Sequence, residues 1–158
     1  MQYKLPEETI MLQDTVKRFV DNELIPLETQ LPERPNSYEL PQDLYLELTG
    51  KVHEMGLTAR ETPEDAGGAG LGPLDNCIVT EQVHRSTAGC SVFSASFASM
   101  LYELGTEEQK NKYMVPSVKG EFHGSSAFSE PVAGGDMAGI QTTIEEKDGG
   151  WVINGNKC

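Results

Sequence analysis

The apolar residues of this chain change their period near Gly120, and that switch limits the folds open to it. Upstream, hydrophobic positions recur every three to four residues, as on helices that bury one face. Downstream they alternate with polar neighbours, as in a half-buried strand. The expected product is a helical region followed by a sheet of two or three strands that has only begun.

Glu7 to Leu27 predicts a first helix, with Leu12, Val16, Phe19, Val20, Leu24 and Leu27 as its apolar stripe. Asp14, Lys17, Arg18, Asp21 and Asn22 occupy the remainder, and Pro26 is expected to kink or end it. Residues 31–41, LPERPNSYELP, read as a loop. A second helix over about 42–55 carries Leu44, Leu48, Val52 and Met55, with Gly56 as its C-terminal cap. Pro73 opens a third helix, in which Leu74, Cys77, Ile78 and then Glu81 continue at the three-to-four spacing toward about Arg85. The small and apolar stretch 88–104 predicts a fourth, central helix. Thr106-Glu107-Glu108-Gln109 is a capping box for a fifth helix over about 107–115, which Pro116 should end. Phe122, Ser126 and Phe128 then begin a strand-like region. Ile140, Thr142 and Ile144 alternate as a second strand, Asp148-Gly149-Gly150 is a hairpin turn into Trp151-Val152-Ile153, and Asn154-Gly155 reads as another turn.

Charge removes one class of function. Twelve Lys and Arg against 25 Asp and Glu leave −13 over 158 residues, so no basic nucleic-acid footprint exists. No apolar run approaches the length of a membrane span, and Pro6, Glu7 and Glu8 interrupt any signal-peptide core. The chain therefore reads as cytoplasmic or from an organelle matrix. Cys77, Cys90 and Cys158 fit neither a disulfide framework nor zinc spacing, and His53, His84 and His123 stand alone, so no metal is assigned.

Two glycine-rich segments compete for a ligand. GGAGLG at 67–72 lacks the GK[ST] of a phosphate loop and the spacing of a dinucleotide fingerprint, which favours a turn between helices. SEPVAGGD at 129–136 is more specific. Its hydroxyl at Ser129, its bounding Pro131 and its Gly134-Gly135 pair expose backbone N–H groups to a polar ligand at close range.

Taken in order, IPLE (25–28), PEDAGGAGLG (63–72), GTEEQKNKYMVP (105–116), SAFSEPVAGGDMAGIQTT (126–143) and WVINGNK (151–157) strongly resemble the acyl-CoA dehydrogenase family of flavoproteins. The resemblance runs across nearly all of the chain. It implies a mainly α fold, with an N-terminal helical bundle domain over 1–120. Residues 121–158 are then the first strands of an incomplete β-barrel-like middle domain. It also implies FAD as cofactor, an acyl-CoA substrate, an electron-transfer partner and a homo- or hetero-oligomer. The implied reaction is α,β-dehydrogenation: a carboxylate takes the α-proton while the β-hydrogen leaves as hydride to flavin.

On this chain the implied flavin contacts are Ser126, Ala127, Phe128 and Ser129, with Gly134 and Gly135 facing the pyrophosphate and CoA side. Gly135 stands where the family commonly carries Ser, and Ser129 keeps a hydroxyl where many members have Thr. Phe93 and Ser94 are the implied acyl contacts, with Phe97 beside them, although the spacing of both Phe residues also suits core. SMLYELG (99–105) is shorter than the family's usual stretch there and lacks its Pro. The catalytic glutamate of the family matches nothing here, and capping or loop roles are expected for Glu107, Glu108 and Glu130. The chain is therefore expected to be an N-terminal part of such an enzyme, inactive alone. Half of a split or hetero-oligomeric flavoenzyme, a non-catalytic helical interaction module, or an oxidase or monooxygenase of the same fold are the alternatives.

Overall fold

A computed structural model describes residues 4–30, 40–93, 97–121 and 126–158. The chain divides into two compact units, Met1–Gly124 and Ser125–Cys158.

In the first unit, α1 (Glu7–Phe19) runs through a π-helical turn, Val20–Leu24, into α2 (Ile25–Gln30). α3 (Gln42–Glu54), α4 (Pro73–Val83), α5 (Gly89–Val92) and α6 (Ala98–Leu104) follow. The last helical stretch is α7 (Glu107–Gln109), a second π turn over Lys110–Met114, and α8 (Val115–Val118). The stripe read from the sequence builds the core: Val16, Val20 and Leu24 pack with Leu48, Val52, Leu57, Val79, Val83, Val92 and Phe93. Phe19 meets Phe93 edge to face at 5.5 Å between ring centroids. A smaller cluster joins Ala59, Ala98, Met114 and Val118.

Polar ties lock these helices in register. Thr9 Oγ1 donates to Asp75 at 2.7 Å, Arg85 reaches Asp21 at 2.6 Å, and Lys51 reaches Glu23 at 2.8 Å. Lys17 and then Arg85 hold the Asp21 carboxyl below its usual range by hydrogen bonding to the charged form.

Neither proline ends its helix. The helix passes through Pro26 to Gln30, and through Pro116 to Val118. In both places a five-residue π turn ends directly before an X-Pro pair, with the Ile25 N–H bonded to the Val20 carbonyl and the Val115 N–H to the Lys110 carbonyl. An α-turn would drive the proline ring into the carbonyl four residues back; the wider turn relieves that clash. The capping box holds as expected, since Thr106 Oγ1 accepts from the Gln109 N–H at 3.2 Å and the Gln109 side chain accepts from the Thr106 N–H at 2.9 Å.

Two helix expectations need correction. On α4 the buried row is Val79, Gln82 and Val83, while Leu74 and Cys77 are exposed. Polar residues turn inward with partners: Asp75 takes Thr9, and Asn76 and Thr80 both receive Arg60. Hydrophobicity alone therefore picks the wrong row. The single helix expected over 88–104 is instead α5 and α6, because Phe97 adopts φ 67° and begins α6 from the left-handed region. The loop expected over 31–41 lies outside the described residues except for Leu40 and Pro41.

GGAGLG is a packed turn. The Gly68, Ala69, Gly70 and Leu71 N–H groups donate in order to the carbonyls of Pro63, Ala59, Thr62 and Arg60 at 2.8–3.3 Å, which leaves none of the four for a phosphate. A Cβ on Gly68 would collide with the carbonyl oxygens of Thr62 and Ala59. Gly68→Ala should therefore lower stability by about 1–3 kcal/mol, the usual range for overpacking, measured as a shift of the urea midpoint at unchanged m-value.

The second unit holds an antiparallel hairpin of β1 (Thr143–Lys147) and β2 (Gly150–Asn154), with Ile144 opposite Ile153 and Glu146 opposite Trp151. Asp148 at φ 53° and Gly149 at φ 76° form the tight turn expected for a right-twisted hairpin. Ser126–Ser129, expected as a strand, has no ladder partner and stays irregular. Asn154 ends β2 and no turn follows; Gly155 instead lies against the Thr142 side chain.

Candidate functional site

Segment 126–136 runs beside the base of this hairpin, and one carboxylate fastens it there. Glu130 is nearly sealed from solvent, with 3% of its side chain exposed. It accepts from the Gln141 N–H at 2.8 Å, the Thr142 N–H at 2.9 Å, Thr142 Oγ1, and Lys157 Nζ at 2.9 Å. Its own backbone closes the loop in a two-way bridge, Glu130 N–H to Ala133 O at 2.9 Å and Ala133 N–H to Glu130 O at 3.1 Å. The Thr142 hydroxyl, then the Gln141 N–H and the Lys157 ammonium, pull the carboxyl from 4.5 down to about 2.

Lys157 also donates to the Phe128 carbonyl at 3.1 Å, and the Cys158 N–H donates to the Ser129 carbonyl at 3.0 Å. Both carbonyls are thereby turned toward the 157–158 segment. The N–H groups of Ala127, Phe128 and Ser129 and the Ser129 hydroxyl have no partner among the described residues, and all four of Ser126–Ser129 are exposed. The Phe128 ring is 57% exposed beside them. Further along, Asp136 caps a short 3₁₀ turn (Met137–Gly139) by accepting from the Ala138 N–H at 3.2 Å. Gly134 and Gly135 face open space. A cleft of about 500 Å³ opens beside the loop, walled by Pro131, Val132, Thr143 and Asn156 among others.

The candidates read from the sequence thus fall in two places. Ser126, Ala127, Phe128, Ser129, Gly134 and Gly135 share the second unit. Phe93 is buried in the core of the first against Phe19, and Ser94 lies outside the described residues. Phe97 sits at the start of α6. The anchoring set Glu130, Thr142 and Lys157 was missed as a set. Its one signal was the presence of EP and NGxK in the same ordered pattern, and nothing in the spacing announces that the Glu and Lys meet.

Free donors, an exposed aromatic ring and an unobstructed glycine pair suit a planar ligand with polar edges and an anionic tail, as flavin dinucleotide is. Among the described residues no group of His, Cys, Asp and Glu could hold a metal ion, and no helix is long and apolar enough to cross a membrane.

Comparison with known proteins identifies the family. Residues 6–121 match the family described as acyl-CoA dehydrogenase, N-terminal domain, and the chain belongs to the acyl-CoA dehydrogenase family. It is 36% identical to (R)-benzylsuccinyl-CoA dehydrogenase of Thauera aromatica, over 99% of this chain and 42% of that protein. It is 33% identical to the mitochondrial short-chain specific acyl-CoA dehydrogenase of Mus musculus, over 98% of this chain and 37% of that one. Among solved structures, an acyl-CoA dehydrogenase complexed with FAD from Bacillus anthracis superposes with a TM-score of 0.79 at 27% identity, over 98% of this chain and 26% of that chain. The chain spans about two fifths of the length of the curated relatives it matches.

Two outcomes follow from the loop. Because the folded carboxyl titrates lower than the unfolded one, the stability Glu130 contributes is complete above pH 4.5, shrinks as pH falls, and is gone below about 2. A ¹³C carboxyl titration of Glu130 should have its midpoint near 2, and Thr142→Val should move it up toward 4.5; a wild-type midpoint already at 4.5 would rule the network out. Gly135→Ser, which meets open space and needs no left-handed backbone, should change stability by no more than about 0.5 kcal/mol in thermal unfolding.

Proposed function

We propose that this chain provides the helical domain and the flavin-facing edge of an FAD-dependent acyl-CoA dehydrogenase, with residues 1–120 as the former and 121–158 opening the β-domain. The observation that carries this reading is the row of unpartnered donors at Phe128 and Ser129, held on the exposed side of a loop whose other side is pinned by Glu130. When bound, FAD accepts the hydride that leaves the β-carbon of the thioester.

The chain's own residues bind and orient. The Phe128 and Ser129 N–H groups and the Ser129 hydroxyl donate to the polar edge of the ring, while Ser126 and Ala127 border it. Preorganised donors of this kind cost no rearrangement when charge develops on the ligand. Gly134 and Gly135 let the pyrophosphate and CoA approach main-chain N–H groups, Gly135 doing so without a side-chain hydroxyl. Phe93 and Ser94 are assigned to the acyl side, Phe93 as a backing wall whose ring Phe19 already holds edge-on.

No carboxylate described here is assigned as the base. Glu107 is paired with Lys110 at 3.3 Å, Glu108 lies in the exposed first turn of α7, and Glu130, held near 2, has almost no proton affinity at neutral pH. The base, the electron-transfer partner and the oligomer contacts are proposed to lie elsewhere in the whole enzyme. Exposure of Ile144, Trp151 and Ile153 on one face of the hairpin, Trp151 at 67%, supports further sheet being packed there.

The test is a titration of the 158-residue chain with FAD, followed by amide NMR. Phe128 and Ser129 should shift and Gly67–Gly72 should not, and Ser129→Ala should weaken binding about fivefold for one lost hydrogen bond. With acyl-CoA and an artificial acceptor the chain alone should show no turnover. Shifts confined to the 67–72 loop, or turnover by the chain alone, would overturn the assignment.

A further inference from the structure

The paired prolines and the Arg60 cluster each have a structural explanation within the fold, and nothing described here covers the apolar hairpin face; the contacts of Lys157 reach further. Its ammonium bridges a buried carboxylate and a single main-chain carbonyl, 2.9 Å from Glu130 Oε1 and 3.1 Å from Phe128 O. A trans peptide is planar, and its C=O and N–H point in opposite directions. Tying the Phe128 carbonyl to Lys157 therefore aims the Ser129 N–H of the same peptide to the opposite side. The next peptide is fixed by the same segment, because the Ser129 carbonyl receives the Cys158 N–H at 3.0 Å and the Glu130 N–H goes to Ala133.

We propose that Lys157, seated on Glu130, is a positioning residue that sets the direction and donor strength of the Ser129 N–H. This rests on the reading of 126–129 as a flavin contact only for the identity of the ligand; the geometry is set within the chain. Two effects act together. The ammonium holds the peptide plane, and by polarising the Phe128 carbonyl it makes the attached N–H a stronger donor. Glu130 keeps Lys157 in place: Thr142 and Gln141 take part of the carboxylate, and Lys157 is the one charged group paired with it among the described residues. Lys157 keeps 26% of its side chain exposed, so replacing it removes a charge-assisted contact without opening a core.

The experiment compares wild type, Lys157→Met and Lys157→Arg in the full 158-residue chain, first without ligand and then with FAD as probe. Without ligand, Lys157→Met should move the Ser129 amide resonance and speed its hydrogen exchange while leaving the first unit's melting unchanged; Lys157→Arg, whose guanidinium can still span both acceptors, should restore the wild-type position. With FAD, Lys157→Met should raise the dissociation constant about tenfold and shift the flavin absorption band, and Lys157→Arg should recover most of both. An unmoved Ser129 amide in Lys157→Met overturns the proposal, whatever FAD does, and so does a failure of arginine to rescue. An amide that moves and is rescued, in a chain that shows no FAD contact at 128–129, upholds the positioning role and instead removes the flavin reading.

Discussion

The second unit depends on one buried carboxylate. Among its described residues only Glu130 and Ala133 are buried, so those residues build no hydrophobic core to hold a loop against a hairpin. Hydrogen bonds from Thr142, Gln141 and Lys157 do that work instead, and each is a bond to a charged group, stronger than its neutral equivalent. A small hairpin with solvent on both faces is marginal alone. Concentrating four donors on a single side chain lets 34 residues keep a defined shape around their exposed edge.

The first unit solves a different problem by packing. Its helices present branched aliphatic side chains to one cluster, and their long members carry prolines where an ordinary α-helix would break. Placing a π turn before Ile25-Pro26 and another before Val115-Pro116 keeps both helices continuous. The same principle recurs at Gly68, where absence of a side chain lets the 59–71 turn close on its own carbonyls. Donors consumed there and donors left free at 127–129 explain why one glycine-rich segment is architecture and the other is a candidate site.

Much of this was legible from residue order. The stripe from Val16 to Leu24, the row Leu48 and Val52, the Thr106–Gln109 box and the Asp148-Gly149 turn all read correctly, because each depends on neighbours within a turn or two of chain. The wrong row on α4 has a clear cause: Asp75, Asn76 and Thr80 lie inward only because Thr9 and Arg60, distant in sequence, supply partners. The break at Phe97 depends on a left-handed backbone that a bulky residue rarely adopts, which composition does not reveal. The site was legible as a segment and not as a mechanism, since the residues that aim its donors come from 141–142 and 157.

By itself the sequence determined the family, the helical majority, the hairpin and which segment offers main-chain donors, for these follow from local periodicity, turn chemistry and an ordered set of motifs. Only the tertiary structure decided that Glu130 anchors the loop to the hairpin, its carboxyl held near 2. It alone decided that Lys157 reaches the Phe128 carbonyl and that Gly67, Gly68 and Gly70 have no donors to spare. The physical reason is that a carboxylate's proton affinity and an N–H group's direction are set by the groups that reach them through space, and those come from distant points in the chain.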